Sequence, residues 1–208
     1  MDGDTLLDDV RDANETPLSR LGSSKSLYAL TGGEMEAGAV RAAVAAEAAA
    51  ARETFEAWSA DEESGDAAGL FGSVADDARG HRDSLAPDGF DADEAHAFPE
   101  FDALADLTDT AARAGGLLAR LVVARSRAEQ AVGFFVGDAD PQSASEFRSY
   151  RDDLAARLEA AVDLLDDVCE SDGEWDAARD AADAVVEAAY DDYVETLESM
   201  GVKPKNVC

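Results

Sequence analysis

The sequence is poor in the residues that build sheets. Isoleucine is absent from its 208 residues, and aromatic residues make up only 7%. Strands draw on β-branched and aromatic side chains, whereas alanine, which is abundant here, loses no side-chain entropy in a helix. We therefore predict an all-α fold, and the length suits one domain with a full hydrophobic core.

Long apolar runs and paired cysteines are also missing. No segment approaches 18 consecutive apolar residues, and Asp2 and Asp4 stand where a secretory signal would carry basic residues. Cys169 and Cys208 are too few and too far apart for a disulfide framework or a zinc knuckle. We expect a protein that does not span a membrane and that keeps reduced thiols in the cytoplasm.

Positive charge is scarce, because 17 lysines and arginines face 47 aspartates and glutamates, for a net charge of −30. Carboxylates spread along a whole chain repel one another at low salt and are screened at molar salt. This predicts a cytosolic protein of a halophile. The alternative, a protein that docks on basic proteins or mimics nucleic acid, requires a concentrated acidic face. Direct nucleic-acid binding is not expected, because phosphate contacts require a basic stripe.

Apolar residues recur at three- and four-residue spacing along most of the chain, which is typical of amphipathic helices. The pattern predicts five long helices, at about 34–61, 66–86, 109–136, 142–169 and 174–200. Asp66 is the predicted N-cap of the second, and Gly201 closes the fifth. We assign residues 1–33 to short helices, at 5–13 and around 23–30, that pack on a single domain of residues 34–200, and residues 201–208 to a tail.

The predicted loop lengths favour one topology. Loops of about four residues join the first long helix to the second and the third to the fourth, so each pair forms an antiparallel hairpin. The connection at 86–108 has room for only a short helical piece. When fully extended, however, this segment would reach well beyond the length of a 20-residue helix, which is roughly 30 Å. Two hairpins joined by a long crossover make a ferritin-like four-helix bundle, here with an additional C-terminal helix.

Two polar residues fall on the apolar stripes of the first hairpin. Glu47 lies three residues after Val44 and four before Ala51, and His81 lies four residues before Leu85. A charged group at such a position is costly unless it is paired or binds a metal. Both side chains are predicted to face the bundle interior, where a carboxylate-bridged metal site would be built.

Two segments of this hairpin resemble the first hairpin of rubrerythrin-related ferritin-like proteins. They are AEAAAARETFEAW at 46–58 and DDARGHRDSL at 76–85. The segments LGSSKSLYALTGGEME, VGFFVGDAD and YDDYVETLESMGVKP are similar to a haloarchaeal branch of that family. The resemblance implies iron ligands from a first-helix glutamate, here Glu47, and from a second-helix Glu-x-x-His motif, here ending at His81.

The sequence departs from that motif in both hairpins. Ala78 stands where the first Glu-x-x-His motif requires glutamate, and Asp77 is one position away. No histidine follows His96, so the second motif cannot be completed. We predict a decayed, vestigial metal site whose candidate ligands are Glu47, Asp77, His81 and Glu129.

An arginine is predicted to supply the charge that iron would otherwise bring. Arg125 and Glu129 are four residues apart on the face of the third long helix that carries Val122. The planar guanidinium group suits carboxylates. We predict a Glu47–Arg125 pair or an Arg125–Glu129 pair in place of the metal.

The predicted function follows from this decayed site. We expect a non-catalytic interaction or regulatory protein without a cofactor, acting as a homodimer or with a protein partner. The alternative is a non-haem iron peroxidase or ferroxidase of oxidative-stress or iron metabolism, with iron at an atypical site. In the tail, Cys208 near Lys203 and Lys205 is either a reactive thiol or part of a plain solvated segment.

Overall fold

The structure, a computed structural model, describes residues 1–92 and 96–204. Within these residues the chain forms nine α-helices and no strand, which confirms the predicted all-α class. The helices are α1 (Gly3–Ala13), α2 (Glu15–Leu21), α3 (Ser24–Leu30), α4 (Ala37–Asp61), α5 (Gly65–Leu85), α6 (Glu100–Ala105), α7 (Thr110–Gly137), α8 (Pro141–Val168) and α9 (Asp172–Ser199).

The five predicted long helices correspond to α4, α5, α7, α8 and α9, with small differences at their ends. α5 is capped by Ser64, whose side chain accepts a hydrogen bond from the Ala67 N–H group, and the predicted cap Asp66 lies inside the first turn. α2 was not predicted, because its Pro17 interrupts the apolar pattern. Proline is nevertheless tolerated in the first turn of a helix, where its missing N–H group has no helical partner.

Two antiparallel hairpins make up most of the chain. At the turn between α4 and α5, the Ser59 hydroxyl donates to the Ala68 carbonyl over 2.9 Å, and at the far end Arg41 donates to the Leu85 carbonyl over 3.4 Å. α7 and α8 also pack along each other, and near their turn the rings of Phe135 and Phe147 stack at 4.9 Å.

α9 lies along α7, and the two backbones approach closely. A Cβ atom added to Gly115 of α7 would overlap the backbone of Ala178 on α9, so only glycine fits there. A capping box at Ser171 and Glu174 starts α9, with each side chain bonded to the backbone of the other residue.

The N-terminal helices pack on the second half of the chain. At the start of α1, the Gly3 N–H group donates to Asp166 of α8 over 2.7 Å. Just after α1, the Asn14 side chain donates to Asp183 of α9 over 2.6 Å. The start of α1 is therefore tied to α8 and its end to α9.

The segment between the hairpins carries one short helix, α6, which contacts α4, α7 and α9. Its first residue, Glu100, is only 1% exposed and points into the interior. Among the helices of residues 1–92 and 96–204, none has the length and apolar character needed to cross a membrane.

Candidate functional site

Three arginines of α7 are buried at seven-residue intervals, which place them on one face of the helix, about two turns apart. We call Arg113, Arg120 and Arg127 the arginine ladder; they are 5%, 4% and 2% exposed. Each guanidinium carbon lies above an aromatic ring. The distance to the ring centroid is 5.6 Å for Arg113 over Trp58, and 5.4 Å both for Arg120 over Phe101 and for Arg127 over Phe98. Such contacts with the negative ring face stabilise a cation that has lost its water.

Arg127 bridges two buried carboxylates that come from different elements. Its Nη1 atom lies 2.9 Å from Oε1 of Glu47 on α4, and it also donates to Oε1 of Glu100 on α6. Burial alone lowers the pKa of Arg127, but the negative charges of Glu100 and Glu47 outweigh it and raise that pKa above its ordinary value. The guanidinium therefore stays charged and links the first hairpin to the crossover.

Arg120 joins Arg127, Glu47 and Glu100 in one interior cluster, which we call the charged cluster, and balances its charge. Its Nη2 atom lies 3.7 Å from Oε1 of Glu47, so two arginines face two glutamates. The Nε and Nη1 atoms of Arg120 are buried without a hydrogen-bond acceptor among the described residues. Close by, burial and the charge of Glu47 raise the pKa of the Tyr150 hydroxyl, against the opposing effect of Arg120. Tyr150 is therefore neutral across the physiological pH range.

A small cavity adjoins Arg120 and Tyr150. Its volume is about 20 Å³, which is room for about one water molecule. The cavity is lined by Ala48, Ala51, Val74, Asp77, Ala78, His81, Arg120, Leu121, Tyr150, Asp153, Leu154 and Arg157. It is too small for an organic substrate.

Arg113, the first residue of the arginine ladder, holds the start of α7 in place. Arg113 contacts Asp61 over 3.0 Å and Glu62 over 3.1 Å, and its Nε donates to the Leu107 carbonyl over 3.0 Å. Thr110 donates to the same Glu62 side chain over 2.8 Å. Burial raises the pKa of Glu62, but the hydrogen bonds from Thr110, the Ser64 backbone and Arg113 outweigh burial and lower it below its usual value.

Replacing Glu62 with glutamine is expected to reduce the acid sensitivity of the fold. A carboxyl group whose pKa is lower in the folded state contributes stability above its unfolded pKa, and this is lost as pH falls through the folded value. Denaturant midpoints measured from about pH 6 to about pH 2 should fall less steeply below 4.5 in the variant than in the wild type. The exposed neighbour Glu63 is the control, since Glu63→Gln removes the same charge; equal slopes for both variants would contradict the assignment.

The predicted metal ligands occupy three separate places. His81 and Asp77 both line the small cavity, where His81 Nε2 lies 3.0 Å from Asp153 and Asp77 lies 2.6 Å from Arg157. Glu129 is exposed on α7 and lies 3.5 Å from Arg151 of α8.

Glu47 is the one predicted ligand that contacts the arginine ladder, and its partners are Arg127 and Arg120. As placed, the four predicted residues do not fit the di-iron ligand set that the resemblance implies. In the part of the chain that the structure describes, no three His, Cys, Asp or Glu side chains are grouped so that they could hold a metal ion.

The predicted role of Arg125 is wrong. Arg125 is exposed on α7, so neither the Glu47–Arg125 pair nor the Arg125–Glu129 pair forms. The physical reason is that α7 packs against α8 and α9 and also meets α4 and α6, so it is buried on most sides. An apolar pattern on such a helix does not single out one inner face. The seven-residue spacing of the arginine ladder was the available signal.

The remaining reactive groups have structural surroundings. His96 Nε2 lies 2.9 Å from Asp192 on α9, and its ring packs edge-on against Phe98. Burial, followed by the nearby carboxylates Glu174, Asp109 and Asp166, raises the pKa of Cys169 to about 11, so this thiol is protonated at neutral pH. The prediction for Cys208 falls outside the described residues.

Comparisons of this chain with family models, with curated proteins and with solved structures gave no match.

Proposed function

We propose that this chain is a ferritin-like helical protein related to the rubrerythrins, in which the arginine ladder takes the place of a di-iron centre. It acts without a metal, as an interaction or regulatory protein of the cytoplasm. One observation carries the proposal: the buried guanidinium of Arg127 bridges Glu47 and Glu100 in the interior where the resemblance implies iron.

The chemistry of the cluster supports this exchange of cations. Buried carboxylates on facing helices need a positive charge, which in di-iron bundles is supplied by the metals. Here Arg127 and Arg120 supply it, and a guanidinium does not lose its proton in a protein. An incoming metal ion would have to displace Arg127 from Glu47 and would then meet two buried positive charges.

The arrangement of helices supports the ferritin-like part of the proposal. α4 and α5 form one antiparallel hairpin, α7 and α8 form another, and the connection at 86–108 separates them. α9 is then the additional C-terminal helix. The high negative charge, −30 for the whole chain, supports a cytoplasm of high ionic strength.

Metal analysis tests the proposal directly. The full chain, purified in high salt without chelators, is expected to hold far less than one iron per chain and to gain no peroxidase or ferroxidase activity over free iron after anaerobic loading with Fe(II). Roughly two bound irons per chain with such activity would overturn the proposal and establish the alternative, an iron enzyme with an atypical site.

A variant makes this test sharper. Arg127→Gln removes the blocking charge while it keeps a polar side chain, and Arg125→Gln removes the same charge from the exposed side of α7. If Arg127 takes the place of the metal, only Arg127→Gln is expected to gain affinity for Fe(II) or Mn(II), measured by titration calorimetry in a folded sample. Equal metal affinity of the two variants would contradict the role assigned to Arg127.

A further inference from the structure

A second polar site lies on the surface, away from the arginine ladder. A groove of about 610 Å³ runs between the N-terminal helices and the end of α9, and we call it the lysine groove. Its lining residues are Arg20, Lys25, Tyr190, Val194, Glu198, Lys203 and Pro204. It contains two of the three lysines of the chain, and the third, Lys205, follows two residues later outside the described residues.

The lysine groove brings together cations that have no acidic partner among the described residues. Most basic side chains of this acidic protein form an ion pair, as for Arg11, Arg41, Arg52 and Arg179. Within residues 1–92 and 96–204, five do not, namely Arg20, Lys25, Arg125, Arg148 and Lys203. Three of these five line this one groove.

The groove cations are held in place by neutral groups. Lys25 Nζ donates to the Lys203 carbonyl over 2.8 Å, which uses one of its three N–H groups. Arg20 donates to the Tyr190 hydroxyl, and its guanidinium lies 5.6 Å above the Tyr190 ring. The Arg20 Nε atom is buried and has no acceptor among the described residues. Within the part of the chain that the structure describes, N–H donors and positive charge in the groove therefore remain without a partner.

We propose that the lysine groove binds a phosphate group, either as free phosphate or as the phosphate of a small ester. Lysine ammonium groups act as point charges for phosphate, and arginine adds directed N–H groups. Several cations around one groove favour a multiply charged oxyanion over a monovalent one, because each cation adds its own attraction. The volume of the groove exceeds that of phosphate, so the body of an ester also fits.

Titration calorimetry of the full chain in chloride buffer tests this, with inorganic phosphate and adenosine 5′-monophosphate as the probes. We expect saturable binding of at least one probe. Tighter binding of the monophosphate identifies an ester as the ligand, and equal binding identifies free phosphate. The double variant Lys25→Gln/Lys203→Gln is expected to bind at least about tenfold more weakly.

The two remaining unpaired arginines provide a matched control. Arg125→Gln/Arg148→Gln changes the net charge by the same amount outside the groove and should keep the wild-type affinity. Glu198→Gln removes the carboxylate that lines the groove and should strengthen binding. Absence of saturable binding for both probes, or equal losses in the two double variants, would overturn the proposal. Circular dichroism confirms that each variant is folded, and the outcome does not depend on metal content.

Discussion

Replacing Arg127 with methionine is expected to lower the free energy of unfolding by about 3–5 kcal/mol. Methionine preserves much of the volume, but Glu47 and Glu100 then lie in the interior without the bridging guanidinium. An uncompensated buried charge costs far more than the net gain from a buried ion pair. Denaturant unfolding of the wild type and the variant, followed by circular dichroism, measures the difference.

Two further variants separate charge from packing. Arg125→Met makes the same change on the exposed side of α7 and is expected to alter stability by less than about 0.5 kcal/mol. The fourfold variant Glu47→Leu/Glu100→Met/Arg120→Met/Arg127→Met removes all four charges from the cluster and so leaves none of them unpaired. This protein should recover most of the stability lost in the single variant. A loss below about 1 kcal/mol for Arg127→Met would contradict the bridging role.

The second large effect is expected at the contact between α7 and α9. Gly115→Ala places a methyl group against the carbonyl of Ala178, a backbone atom that cannot move aside as a side chain would. The two helices must separate, and the resulting overpacking is expected to cost about 3 kcal/mol of unfolding free energy. Thermal and denaturant unfolding should both report the loss.

Gly133 supplies the comparison on the same helix. A Cβ atom added there meets nothing within 4 Å, and the residue is exposed. Gly133→Ala should therefore raise the stability by about 0.5–1 kcal/mol, because alanine is the better helix former. If Gly115→Ala were also stabilising, the close approach of α7 and α9 would be wrong.

The long helices were predictable because local signals agree with the final structure. α9, for example, begins with a capping box at Ser171 and Glu174, carries regular apolar positions, and is followed by Gly201 with a positive φ of 73°. Such signals act over a few residues and do not depend on distant parts of the chain. α2 escaped detection because Pro17 interrupts the apolar pattern of its seven residues.

The site was harder to predict because its partners are distant in sequence. Glu47 was correctly singled out as a buried charge that needs a positive partner. Glu100 lies in the segment at 86–108, where the apolar pattern lapses, so nothing local indicated that it is buried. Arg125 was predicted to be the buried arginine, whereas Arg127 is. Which of them is buried depends on the face of α7 that meets α4 and α6, and that is decided by the assembly of several helices.

The contact between Arg127 and Glu47 also favours one lengthwise alignment of α4 against α7. The middle of α4, residues 42–51, is almost entirely alanine and valine. This part of the helix therefore has few large side chains that could fix its axial position by interdigitation. Sliding α4 by one helical turn, about 5.4 Å, would keep its methyl groups in similar surroundings but would separate Glu47 from Arg127. The buried ion pair thus disfavours shifted alignments of α4 that side-chain packing in this segment would allow, because a shift would leave buried charges unpaired.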